Sequence, residues 1–251
     1  MATVDVALHD VPTAPRRAVR SAVPRVAELV CAAGGAVLSG LTALVACRPA
    51  AKPLHPRGAV RAAVLERHGS SRLSGVAWLD EPGRDRALVR VSRAVGLPPR
   101  LPDVHGLALR VEGTDGPADL LLASTGWGRL GRYLLKVHTE LRDEPLTTLL
   151  PYRSPRGAVL LGARATLARG TEPPQGYALF WARPREGWNL FATLRLAAAP
   201  ATDVADEDRS IAFDPVRHQL PGLGQYPWVV RLREPAYARA RRSRPAGGTA
   251  P

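Results

Sequence analysis

A chain of 251 residues can bury a sizeable core, and its 35 Lys and Arg against 22 Asp and Glu give a net charge of +13. Two cysteines, Cys31 and Cys47, exclude a disulfide framework and a paired CxxC metal site. The positive charge is spread along the chain, with one cluster at Arg239, Arg241, Arg242 and Arg244, a distribution that argues against a specific nucleic-acid partner.

Residues 1–22 mix Pro and Arg without an apolar period and read as a flexible arm. An apolar helix is expected over 23–48. Its stretch from Leu29 to Cys47 carries no charge and meets the length of a membrane span, but Gly34, Gly35, Ser39, Gly40 and Thr42 interrupt it. The reading is a buried helix of a cytoplasmic protein. The alternative is a lipoprotein signal or a membrane-associated anchor, since Arg16, Arg17, Arg20 and Arg25 precede the run and Leu44-Val45-Ala46-Cys47 resembles a lipoprotein cleavage box.

Strands are expected next at 59–67 and 86–93 with a turn at Pro82-Gly83, then at 107–111 and 120–123 around a Gly113-Thr114-Asp115-Gly116 turn, and at 177–182 and 190–196. Short strands joined by turns argue for an antiparallel barrel or sandwich, and no GxGxxG follows a strand. Residues 197–209 read as a surface loop, a terminal helix is expected from about Trp228, and 245–251 read as a disordered tail. On the terminal helix Arg233 and Tyr237 stand at i, i+4 on one face, so the guanidinium can hold the phenol as the phenolate that ligates ferric iron.

Lys52-x-x-His55-Pro56-Arg57-Gly58, Val89-Arg90-Val91-Ser92, Asp103-x-x-Gly106-Leu107-Ala108-Leu109-Arg110, Asp119-Leu120-Leu121 and Arg233-x-x-x-Tyr237 occur in an order that resembles the haem-dependent catalase superfamily. The resemblance covers about 50–125 and 210–244. It implies an α+β fold: a reduced catalase-like antiparallel β-barrel over 49–244, with an N-terminal and a C-terminal helix.

The resemblance also implies haem b, with Tyr237 as the iron ligand and Arg233 lowering its pKa. Arg90, Ser92, Lys52 and Arg244 would serve the cofactor, and His55 would act as the distal acid/base on peroxide. The family's peroxide-orienting asparagine is missing, since the chain reads Ala123-Ser124-Thr125, and Ser124 is the candidate replacement. The span from His55 to Tyr237 is short for the family.

The implied function is a haem-binding oxidoreductase acting on hydrogen peroxide or organic, including lipid, hydroperoxides. A second reading is a non-enzymatic descendant of the fold that binds an apolar ligand or a partner protein. A third is a hydrolase such as a phosphodiesterase, for which no HExxH, GxSxG or clustered metal-ligand pattern appears. His68, His105, His138 and His218 read as surface or satisfied polar residues.

Overall fold

The computed structural model describes residues 58–242, apart from 99, 114–115, 140–143, 167–174 and 199–210. The arm at 1–22, the helix expected over 23–48, and the candidate residues Lys52, His55 and Arg244 lie outside the described residues, as does the tail at 245–251.

The strands are β1 (Gly58–His68), β2 (Pro82–Arg93), β3 (His105–Gly113), β4 (Gly116–Ser124), β5 (Leu146–Thr147), β6 (Tyr152–Ser154), β7 (Gly157–Thr166), β8 (Gly176–Ala182), β9 (Asn189–Leu196) and β10 (Gly224–Gln225). The helices are α1 (Ala77–Asp80) and α2 (Pro227–Arg242). Neighbours pair antiparallel in the order β7, β5, β4, β3, β2, β1, β9, β8, and β8 returns to β7. The result is a closed eight-stranded barrel, which leaves no edge exposed along its wall. β6 and β10 extend from β7 as a short flap.

Period-2 alternation decides which side chains fill the barrel. Leu65, Val89, Leu107, Leu109, Leu120, Leu161, Leu179 and Leu194 are essentially inaccessible and meet inside, with Tyr177, Trp181 and Phe191 as the bulky members. Each fully buried apolar side chain contributes about 1.5–3 kcal/mol. Pro82 and Gly83 open β2 rather than forming the expected turn. The connection from β1 instead runs through α1, whose Trp78 packs on Phe191 at 5.7 Å between ring centroids.

Two carboxylates, the half-buried Asp80 and the buried Asp103, fix the connections. Asp80 accepts the N–H groups of Ser74 at 2.7 Å and Gly75 at 2.8 Å. Asp103, 1 % exposed, accepts those of Val95, Gly96, Leu97 and Val104 at 2.8–3.2 Å, and so gathers the β2–β3 link onto one side chain.

Helix α2 starts after Tyr226, whose carbonyl accepts the N–H of Val229 at 2.9 Å and of Val230 at 3.0 Å, with Pro227 at the first helical position. Pro235 falls inside it, between Arg233 and Tyr237, and removes the N–H that would bond the carbonyl of Arg231.

Candidate functional site

The outward-facing residues of β1 to β4 form rows across four strands, fixed by register. One row reads Gly58, Ser92, Gly106 and Ala123. Nothing in it is larger than a serine, so this part of the wall is a flat floor. The next row reads Val60, Arg90, Ala108 and Leu121, and the third reads Ala62, Leu88, Arg110 and Asp119. Rows are two residues apart, about 7 Å along the strand.

Arg90 and Ser92 are therefore on the same face, each only 7 % exposed. The guanidinium of Arg90 lies over Gly58, where an added Cβ would come within 2.7 Å of its Cζ. Gly58 is the one residue type that leaves room for that packing.

Ser124 stands apart from this pair. Alternation along β4 turns Ala123 to the outer face and Ser124 away from it. Its hydroxyl donates to the carbonyl of Lys136 at 2.6 Å and accepts the N–H of His105 at 3.0 Å. Its single proton is thus committed to the backbone of the β4–β5 connection.

In the third row, Asp119 is wholly buried and accepts four hydrogen bonds. Arg110 donates from Nε at 2.8 Å and from Nη2 at 2.7 Å, the N–H of Asp214 donates at 2.6 Å, and His218 Nδ1 lies at 2.9 Å. The Asp119 N–H donates to the carbonyl of His218 at 2.9 Å. Arg110 also donates to the Ala212 carbonyl, and its guanidinium carbon stands 5.2 Å from the Phe213 ring centroid. This clasp holds 211–218 against the barrel wall, and that segment leads directly to β10 and α2.

Pairing of β10 with β6, Gln225 opposite Tyr152, then sets the start of α2 beside Tyr152. Tyr152 is 2 % exposed, and its hydroxyl has no hydrogen-bond partner of good geometry among the described residues. Burial raises its pKa, opposed by the nearby Arg233 guanidinium.

Arg233 and Tyr237 share a face of α2. Tyr237 is half-buried as a residue, but loss of solvent around its phenol pushes its pKa up to about 12. Arg233 pulls in the opposite direction, and Tyr152, Asp214 and Asp119 add to the rise. The structure therefore brings Arg233 and Tyr237 together beside the clasp, and puts Arg90 one row further along the same face. Tyr152, Asp119, Arg110 and His218 lie beside this pair, and the sequence had assigned none of them a role there. Arg110 and Asp119 stand in two of the ordered motifs; Tyr152, between Pro151 and Arg153 in a loop-like stretch, carried no signal.

The residue types are ones a haem would use: the Tyr237 phenol, with Arg233 beside it, could ligate ferric iron, the small-residue floor is flat, and Arg90 is a buried cation on the same face. No group of three His, Cys, Asp or Glu converges among the described residues, so a multi-ligand metal site of the hydrolase kind has no support there.

No family model matches the chain, and no curated protein matches it. Solved structures do. A fungal catalase superposes with a TM-score of 0.56 at 15 % identity, over 84 % of this chain and 63 % of that one. Catalase A from Saccharomyces cerevisiae gives 0.57 at 14 % identity, over 83 % and 64 %. At such identity the likeness is one of fold: the barrel is catalase-like, and the chain spans less than two thirds of the length of these structures.

Proposed function

We propose that the chain is a haem-binding oxidoreductase of the catalase/peroxidase type, with haem b as cofactor and Tyr237 as the iron ligand, acting on hydroperoxides. The observation that carries this reading is the Arg233–Tyr237 pair on α2, seated beside the outer barrel face that also holds Arg90 and Ser92. Bound haem would supply the redox-active iron that reduction of a peroxide requires.

The chain's own residues divide the remaining tasks. Arg233 stabilises the Tyr237 phenolate against the burial that disfavours it. Arg90 would hold a propionate, with Lys52 and Arg244 as further cations. His55 would take the peroxide proton from one oxygen and return it to the other. Ser92 would sit on the floor beneath the ring.

The substrate class follows from the row at the floor's edge. Ala123 presents a methyl where a donor would be needed to orient a small, symmetric peroxide. An organic hydroperoxide, lipid-derived ones included, can be oriented by its apolar tail, for which the neighbouring Val60, Ala108 and Leu121 supply apolar surface. The haem-loaded chain is expected to turn over cumene hydroperoxide faster than hydrogen peroxide, and His55→Gln is expected to lower that turnover by about 10²-fold. Equal turnover by the variant would remove His55 from the reading.

One observation favours the second reading, a non-enzymatic catalase-like shell with an apolar ligand or partner. The proton of Ser124 is already spent on Lys136, so the described wall offers no replacement for the missing amide. Under that reading, chain loaded with haem would show no hydroperoxide turnover above free haem.

A further inference from the structure

The barrel carries a second surface that the proposed site does not use, on the outer flank of β7, β8 and β9. Gly162 leaves a dent in β7, and the rings of Trp127 and Trp188 lie over it, stacked at 4.3 Å; a Cβ at Gly162 would meet them at 3.0–3.1 Å. Phe180, the cross-strand partner of Gly162, meets Trp127 edge-on at 5.2 Å. Leu190, the next partner in the row, is 48 % exposed.

The connection after Trp127 is built onto this aromatic ridge. Arg132 is 2 % exposed, and its guanidinium carbon stands 4.5 Å from the Trp188 ring centroid. It donates to the carbonyls of Gly128 at 3.2 Å, Arg183 at 3.4 Å and Glu186 at 3.1 Å. Trp188 Nε1 donates to the Trp127 carbonyl at 2.8 Å. With Trp127 and Arg132 both seated, the loop between them is held outward. It exposes Leu130 at 75 %, and just beyond it Leu134 at 55 % and Val137 at 61 %, interleaved with the exposed cations Arg129 and Lys136.

We infer that this flank is a docking surface for an anionic lipid bilayer: Leu130, Leu134 and Val137 enter the acyl boundary, the Trp127–Trp188 ridge lies at headgroup level, and Arg129 and Lys136 meet lipid phosphates. Half-buried tryptophans beside cations and exposed aliphatic side chains are the composition of an interfacial anchor. The charge of the chain, +13, attracts an anionic leaflet and opposes a second copy of the same chain. Nucleic acid shares the phosphates but gives no place to two leucines and a valine, and the indole faces that would stack on bases already stack on each other.

The test is co-sedimentation of the full chain with vesicles of phosphatidylcholine mixed with phosphatidylglycerol, against phosphatidylcholine alone. The chain is expected to partition onto the anionic vesicles only, and a combined Leu130→Asp, Leu134→Asp variant to bind them about tenfold more weakly or worse. Both side chains are exposed, so an unchanged melting temperature certifies the variant's fold, and Val137→Asp serves as an independent second variant. Binding retained by the variants would assign the attraction to basic residues elsewhere and overturn the inference. Failure to bind vesicles, with competition by single-stranded RNA or concentration-dependent dimerisation instead, would overturn it equally.

Discussion

Tyr237 is the residue on which the proposed chemistry turns, and its surroundings pull it in two directions. Burial disfavours the phenolate, while Arg233 favours it. In the chain without haem, Arg233→Gln is expected to move the Tyr237 titration above about 12, read as the late part of the absorbance rise at 295 nm relative to a Tyr237→Phe reference. Tyr177 is also raised to about 12 by burial. Both folded-state values exceed the unfolded value of about 10, so the folded chain holds these protons more tightly. The associated stability is full below pH ~10 and is lost as pH rises toward about 12, and denaturant midpoints measured across that window should fall. The Arg233–Tyr237 spacing was legible in the sequence because i, i+4 is a local relation. The opposing rise was not, because burial is a tertiary property and the groups that add to it, Tyr152, Asp214 and Asp119, are distant in sequence and brought near by β6 and the clasp.

At the scale of elements, the clasp on Asp119 couples β3 and β4 to the approach to α2. Removing a buried carboxylate that neutralises Arg110 leaves the cation unpaired, at a cost of about 3–5 kcal/mol. Asp119→Ala should therefore lower the unfolding free energy by that order and make 211–242 the first segment to lose amide protection in hydrogen exchange. Gly162→Ala should cost about 1–3 kcal/mol, since the Trp127–Trp188 pair must shift, and the near-ultraviolet circular dichroism of the stacked indoles reports it. The expected strands β1 to β4, β8 and β9 were legible as short apolar runs with inward-facing residues at every second position, bounded by Gly or Pro turns. β7 escaped: Leu160 and Leu161 are both buried, since Trp127 and Trp188 cover its outer side, and alternation vanished with the exposed face. β5 and β10, two residues each, are too short to carry a pattern.

For the whole molecule, the closed barrel and the terminal helix were readable from turn-punctuated strands and an ordered motif set, and the fold is shared with catalases of which the chain spans 63–64 %, at 14–15 % identity. No helix among the described residues is long and apolar enough to cross a membrane. Ser124→Ala is expected to act on this scaffold rather than on turnover: loss of its bonds to Lys136 and His105 should cost about 1–2 kcal/mol, with hydroperoxide activity of the haem-loaded chain kept. The measurement that bears most directly on the central claim is a titration of the full chain with haemin, following the Soret and charge-transfer bands, with Tyr237→Phe alongside. A saturable one-to-one band of tyrosinate-ligated ferric haem, abolished in the variant, is the expected result. A spectrum that is the same in both proteins, or no specific band in either, would contradict ligation by Tyr237 and leave the barrel as a catalase-like shell with another use.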